Sequence, residues 1–551
     1  MQEFRDFPVP NIQYGAKHIY EDIASDFLQR AERVGLNEAK KCLDGTRTKI
    51  LNEIVDWVNT KNAATPRIFW LSGQAGKGKS AIAHTVALHA KNIGILGSCF
   101  CFSRVRQHEG LHMKLFPTIA HDLAARDLRV RRLLDEVVSK NYSSKKGGIV
   151  EEWQKLIAEP LSKLEGSFPG NLVVVIDALD ESGSEHTREA ILDVLTAYGA
   201  ELPANIRILL TSRPLLDIGE ALNTDQYSIL ARSLDRIDNE STMRDIHFYV
   251  STRLRSIGDT FSDQDFQRLA AKSDGIFEWA RLACDFVSPR NGVIPKEAFD
   301  EIMSHTPGSG RILLDEMYTT FLKDLMGGSE ARRVAFCSVM RQILWLKEPL
   351  PISALDVLRD KFPRGDDHYP VSFVLNSMAS LLAGATIDES TPVRPLHASF
   401  YDFLLDKTRS REFSIEQCDI HRDLAVASLS VMQAGLRFNI CGLGTSYLRN
   451  SEVIGLDKKV AENIPPHLLY SCRFWATHLQ DVEFDSELLQ LVKNLVTGVQ
   501  ILFWLEALGV SKFIREAYWA LTSTERWLQV SLFLDNVDWH PNNKLTGKGG
   551  M

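Results

Sequence analysis

Polar and apolar positions along this chain follow two regimes. From residue 42 to 232, short apolar runs alternate with segments of helical period. The runs at 67–71, 94–102, 172–176 and 206–210 read as strands, and the largely apolar ones suit strands buried on both faces. Between them, 115–123, 126–139, 153–164 and 189–198 have helical spacing, and so does 80–90, where Ile82, Ala83, Val86, Ala87 and Ala90 recur. An earlier helix offers Ile50, Leu51, Ile54, Val55, Trp57 and Val58 for burial. This alternation predicts an α/β fold, a parallel sheet covered by helices on both faces. Beyond 232 strands become rare and the chain turns all-α. Helices are predicted at 243–254, 263–271 and 277–286, then at 313–325, 334–346, 351–358 and 371–383. A small hairpin follows at 384–394, an order that suits a winged helix. Residues 413–533 are helical again, and no fixed-period repeat is evident.

Six segments follow from this pattern: a short helical leader (1–41), the α/β domain (42–232), a small helical domain (233–305), a winged-helix-like domain (306–408), a C-terminal helical region (409–535) and a polar tail (536–551). The boundary near 306 rests on Thr306-Pro307-Gly308-Ser309-Gly310.

The strand at 67–71 runs into Gly73-Gln74-Ala75-Gly76-Lys77-Gly78-Lys79-Ser80, followed by Ala81. This fits G-x-x-x-x-G-K-[ST] between a strand and a helix. Glycines let several backbone N–H groups converge on phosphate oxygens, Lys79 suits the β- and γ-phosphates, and the Ser80 hydroxyl suits Mg²⁺. The following helix adds the partial positive charge of its N-terminus. An acidic partner for Mg²⁺ is expected at the end of a neighbouring strand, and Asp177 closes the run 172–176. Asp180 or Glu181, just beyond, could orient or deprotonate an attacking water. Arg213 ends the next strand and could reach the γ-phosphate from the crevice at the strand carboxyl ends.

Composition adds limits. The chain has 551 residues, 44% hydrophobic and 24% charged, with a formal net charge of −8. That balance disfavours a dedicated nucleic-acid binder. The eight cysteines lack disulfide-framework spacing, as in a reducing compartment. Cys99 and Cys101 alternate with phenylalanines, so both thiols share one strand face; no second pair has ligand spacing to make a metal centre. No secretory signal and no apolar stretch of about 18 residues appears. A soluble, cytoplasmic protein without a membrane span is expected.

The ordered set of motifs resembles NACHT-type NTPases of the STAND class, close to the fungal subgroup. It comprises Cys42-Leu43-Asp44-Gly45-Thr46-Arg47, Phe69-Trp70-Leu71-Ser72-Gly73 leading into the phosphate loop, Val175-Ile176-Asp177-Ala178-Leu179-Asp180-Glu181, and Thr211-Ser212-Arg213-Pro214. Ser273-Asp274-Gly275-Ile276-Phe277-Glu278-Trp279-Ala280 and the stretch from Pro395 to Leu404 extend it, so that it covers roughly residues 40–410. The resemblance implies a signalling switch, closed with ADP and open with ATP, with slow hydrolysis and nucleotide-dependent self-assembly or other protein partners. It implies that His397 touches the β-phosphate of ADP, that Arg213 is the sensor arginine, and that Arg47 lies near the base. The cofactors implied are ATP/ADP, with GTP the alternative, and Mg²⁺. The forty-residue leader and the lack of repeats depart from such families, which usually carry effector domains or repeat arrays. Val537-Asp538-Trp539-His540-Pro541 reads as tail rather than the start of an array.

One competing motif is His108-Glu109-Gly110-Leu111-His112, a literal H-E-x-x-H. It needs both histidines on one helix to bind Zn²⁺, and Gly110 weakens that helix. Two alternatives to the switch are a nucleotide-bound scaffold without turnover and a small-molecule kinase. The long helical C-terminal half fits the kinase badly.

Overall fold

The computed structural model describes residues 30–31, 34–60, 62, 64–104, 110–139, 148–164, 170–222, 229–256, 260–288, 294–304, 311–363, 369–375, 378–384, 391–417, 419–445 and 447–535. The chain separates into two compact units, 1–321 and 322–551. Most of the leader and the tail from 536 lie outside the described residues, as do the boundary peptide 306–310 and Val537–Pro541.

The first unit is built on α1 (Thr48–Asn59), β1 (Ile68–Ser72), α2 (Lys79–Asn92), β2 (Leu96–Cys101), α3 (Leu111–Arg126) and α4 (Leu128–Ser139). Next come α5 (Gly148–Trp153), a π-helical turn (Gln154–Ala158), α6 (Glu159–Ser162), β3 (Leu172–Asp177), α7 (Glu185–Tyr198), β4 (Ile206–Ser212), α8 (Leu216–Leu222) and β5 (Ile229–Ser233). All five strands are parallel, in the order β2-β3-β4-β1-β5. Successive side chains along them point to opposite faces, with the period of a pleated strand, and the central strands are buried on both. Ile68, Trp70, Val174, Ile176, Ile208 and Leu210 join one core with α3 and α7. Phe69, Leu71, Val173, Val175 and Leu209 join the other, with α1 and α2. The expected α/β layering is thus present.

Three details depart from the pattern reading. The helix expected at 153–164 begins at Gly148 and is interrupted by the π-helical turn. The edge strand β5 was not evident, because Ile-Leu-Ala-Arg-Ser has neither a long apolar run nor strict alternation, and it is only half-buried beside β1. The third departure lies in the second unit, where the helix expected at 371–383 stops early.

Beyond the sheet the first unit is helical: α9 (Asn239–Arg255), α10 (Asp263–Lys272), α11 (Phe277–Val287), α12 (Pro295–Ser304) and most of α13 (Arg311–Met326). Ser262 and Asp265 form a reciprocal capping box at the start of α10.

The second unit contains α14 (Glu330–Trp345), α15 (Ile352–Arg359), α16 (Val371–Leu375), β6 (Leu382–Ala383) and β7 (Arg394–Pro395). β6 and β7 pair antiparallel, so the hairpin starts within the span expected to be helix. Then come α17 (Ala398–Leu405), α18 (Lys407–Ser410), α19 (Ile420–Gly435), α20 (Leu456–Asn463), α21 (Pro466–Leu479), α22 (Ser486–Thr497), α23 (Gln500–Val510) and α24 (Glu516–Asp535). Among the described residues no single helix is long and apolar enough to cross a membrane; α22 and α23 pass only as a pair bent by 75°.

Candidate nucleotide site

The loop between β1 and α2 is shaped by two glycines in the left-handed region, Gly76 at φ 80° and Gly78 at φ 90°. At Gly78 a Cβ would meet nothing within 4 Å, so the backbone angle alone demands glycine there. At Gly76 a Cβ would lie 2.7 Å from Ile276 Cγ2, so close packing adds to the demand. Gly78 caps α2, and the amide ends of that helix face the loop. Lys79, the first residue of α2, folds back so that Nζ donates to Gly73 O at 2.7 Å and Gln74 O at 2.9 Å. Burial draws its ammonium below the ordinary lysine range; Asp180, Asp177 and Asp235 pull the other way, while Arg213 adds to the lowering. Ser80 and Ala81 follow in the first turn of α2, and Ala75 sits within the loop, all partly buried.

The acidic residues converge from β3. Asp177 is buried at its last position. Thr211, in β4, donates its hydroxyl to Asp177 Oδ1 at 2.5 Å and accepts the Ala178 amide at 3.0 Å. It therefore fixes the direction of the carboxylate, a role the sequence did not reveal. Ala178 itself is left-handed, at φ 58°, which turns the chain sharply into Asp180 and Glu181. Asp180 accepts the Arg213 amide at 3.0 Å and lies 3.1 Å from Arg213 Nε. Arg213 is thus brought to Asp180 by adjacency of β3 and β4. Glu181 accepts the Arg104 amide at 3.1 Å. Burial, and after it the Asp180 charge, raise its carboxyl to about 7, against the lowering effect of Arg213 and Arg104.

Two more residues shape the loop. Asp235, just after β5, accepts the Gln74 amide at 3.1 Å to Oδ2 and 3.3 Å to Oδ1. No motif spacing pointed to it, because it lies 161 residues away in the chain. Arg47 is left-handed at φ 55° and buried. Its Nη2 donates to Lys77 O at 2.8 Å, its Nη1 to Thr242 Oγ1 at 3.3 Å, and its guanidinium lies 4.6 Å from the Phe277 ring centre. Its amide donates to Asp245 Oδ2 at 3.0 Å. Arg47 thus ties the loop to α9 and α11. On the same side the Glu278 amide donates to Gly76 O at 3.2 Å, and Lys77 Nζ donates to Asp274 O at 3.2 Å. The Ser273–Glu278 segment is therefore a seat for the loop.

His397 belongs to the second unit. There its Nδ1 accepts the Ser399 amide at 3.1 Å and caps α17, 2.6 Å from Ser399 Oγ. Of the H-E-x-x-H residues, His108 and Glu109 lie outside the described residues. α3 begins only at Leu111, and Gly110 before it is left-handed and not helical. Cys99 and Cys101 do share one face, with His84 Nε2 3.8 Å from Cys101 Sγ and the two sulfurs 3.9 Å apart. The Asn37 amide donates to His84 Nδ1, which leaves the ring proton on Nε2, facing the thiol. Metal ligation through Nε2 needs the opposite tautomer.

Residues 45–213 match a family model described as Nephrocystin 3, N-terminal. That stretch runs from the turn before α1 to Arg213. No curated protein matches the chain significantly. Among solved structures it is similar to a Signal Transduction ATPase with Numerous Domains (STAND) protein with a tetratricopeptide repeat sensor from Pyrococcus horikoshii. The identity is 12% and the TM-score 0.38; 91% of this chain and 66% of that one are covered, so it spans just under two thirds of that protein's length. It is similar to a Walker-type ATPase of Pyrococcus abyssi, at 12% identity and TM-score 0.31, covering 64% and 94%. It is also similar to Cdc6p from Pyrobaculum aerophilum, at 10% identity and TM-score 0.29, covering 73% and 99%.

Proposed function

We propose that the chain is a nucleotide-controlled switch of the NACHT type within the STAND class, closed with ADP and open with ATP, and a slow NTPase. The observation that carries this is the partly buried Lys79 ammonium, folded onto Gly73 O and Gln74 O of a glycine-shaped loop, with the charges of Asp180, Asp177 and Asp235 acting on it. An ammonium in that setting attracts phosphate oxygens. The residues suit such a ligand: left-handed Gly76 and Gly78 and the open space beside Gly78 would let the amides after Gln74 serve as an anion cradle. Ser80 and Asp177 would hold Mg²⁺, which when bound neutralises charge on the phosphate oxygens.

Labour then divides between the two following acids. Asp180 orients Arg213, the γ-phosphate sensor. Glu181, with a carboxyl near 7, is matched to deprotonating or orienting water at neutral pH. His397 would contact the β-phosphate of ADP in the closed form, within a winged-helix domain at 306–408. Ligands shift such an equilibrium only through contacts that differ between its states; His397 and Arg213 supply them. Arg47 acts in this scheme through the loop carbonyl of Lys77 as well as by proximity to the base. Self-assembly in the ATP state and a role in fungal incompatibility-type or innate signalling complete the reading.

The alternative is a nucleotide-bound scaffold without turnover. It draws on Asp180, whose two oxygens both face Arg213. Denaturing purified protein and identifying released nucleotide by chromatography tests the main reading. Stoichiometric ADP, with retention lowered by His397→Ala, is expected. No nucleotide, and no binding of ATP, ADP or GTP at millimolar Mg²⁺, overturns it.

A further inference from the structure

The second unit contains a chain of buried polar side chains that the nucleotide site does not use. It starts at the turn after α14, where the Lys347 amide donates to Tyr470 Oη at 3.0 Å. Tyr470 Oη lies 2.7 Å from His478 Nε2, both on α21. Across the helix interface, His478 Nδ1 stands 3.0 Å from His421 Nδ1 on α19. At the far end His421 Nε2 is 3.6 Å from Asp481 Oδ2. Tyr470, His478 and His421 are all buried.

The two ends together set the direction of the bonds. The Asp481 carboxylate favours the proton on His421 Nε2, and with Lys347 N–H donating to its oxygen, the Tyr470 hydroxyl turns its own proton to His478 Nε2. His478 then carries its proton on Nδ1 and donates to His421 Nδ1. His421 in turn carries its proton on Nε2, facing Asp481. Both rings are neutral in this arrangement. An added proton could land only on His421 Nδ1 or His478 Nε2, and each is already an acceptor. N–H would then oppose N–H or O–H at about 3 Å, an unpaired buried donor pair.

The charges around the chain do little to relieve this. Burial lowers His421 to about 4; Lys347 acts in the same direction and Asp481 opposes both. Lys347 Nζ itself lies 3.6 Å from Asp481. Glu348 and Arg473, near Tyr470, are paired with each other, and Arg473 also binds Glu516. From α22, Asp485 and Glu487 bind Arg422. From α15, Arg359 binds Ser338, Gln342 and Tyr369.

We propose that the Tyr470–His478–His421 chain is an acid-opened latch, which joins α19 and α21 to each other and to the turn at 346–348 while both imidazoles are neutral. The latch makes the second unit sensitive to pH in a range where no carboxylate of ordinary pKa titrates. It is independent of the nucleotide reading.

Hydrogen exchange of α19 and α21 peptides in the full chain, normalised to intrinsic rates, tests it between pH 8 and 5. The opening constant is expected to rise up to about tenfold per pH unit and per proton taken up below about 6.5. In His421→Asn the amide oxygen replaces Nδ1 as acceptor and takes no proton, so the rise should flatten. Tyr470→Phe removes the hydroxyl that His478 Nε2 accepts and cuts the tie to the turn at 346–348, so α21 should open more readily already at pH 8 and gain less on acidification. An equal slope in wild type and both variants, or no slope in wild type, overturns the latch.

Discussion

Replacing Arg47 by alanine tests whether the phosphate loop is held from beneath by one side chain. Its bond to Lys77 O at 2.8 Å is charge-assisted and contributes about 3 kcal/mol; the longer bond to Thr242 contributes about 1.5 kcal/mol. Stacking on Phe277 at 4.6 Å adds about 1 kcal/mol. Against this, Arg47 Nε is buried without a partner, and its removal relieves about 2 kcal/mol. The net expectation is a loss of about 3.5 kcal/mol. Burial already raises the Asp245 carboxyl, and losing the Arg47 charge should raise it further. Urea unfolding followed by tryptophan fluorescence gives the stability change, and nucleotide titration the effect on the loop, expected at about tenfold weaker binding. Arg47→Lys keeps the charge but not the fork, and should recover less than half of the loss. A cycle with Phe277→Leu should isolate a coupling of about 1 kcal/mol. A change below about 1 kcal/mol for Arg47→Ala, or a lysine variant equal to wild type, refutes the tie.

Three further outcomes follow from the site. If Glu181 is the base, turnover should rise with pH through about 7 as its carboxyl loses its proton, and Glu181→Gln should be slow and flat across that range in a phosphate-release assay. The same raised carboxyl is protonated more in the folded than in the unfolded chain between about 4.5 and 7, so its contribution to stability falls as pH rises through that window. Gly76→Ala should cost about 2–4 kcal/mol in urea unfolding, since it combines a left-handed residue with a Cβ 2.7 Å from Ile276 Cγ2; Ile276→Ala in the same chain should restore part of it.

Much of this site was legible because its parts are local. The phosphate loop is a contiguous peptide whose glycines announce the left-handed angles, and β1 and α2 beside it carry unmistakable periods. Asp177 was legible because it ends a run of five apolar residues. β5 was not, since an edge strand of mixed residues depends on β1 for its definition. The early end of α16 was hidden because Leu382 and Ala383 are as apolar as a helix face and become a strand only by meeting Arg394 and Pro395.

The sequence alone determined the layered α/β unit, the place of the glycine-rich loop within it and the largely helical character of the described residues that follow, because hydrophobic period and glycine placement act over a few residues. Only the tertiary structure decided which groups meet. Thr211 orients Asp177 and Arg213 pairs with Asp180 because β4 lies beside β3. Asp235 reaches Gln74 because β5 lies beside β1. Arg47 reaches Lys77, Thr242 and Phe277 because α9 and α11 fold under the loop. His421 meets His478 only through the packing of α19 on α21. Such meetings depend on strand order and helix packing, which follow from the free energy of the whole core rather than from any local pattern.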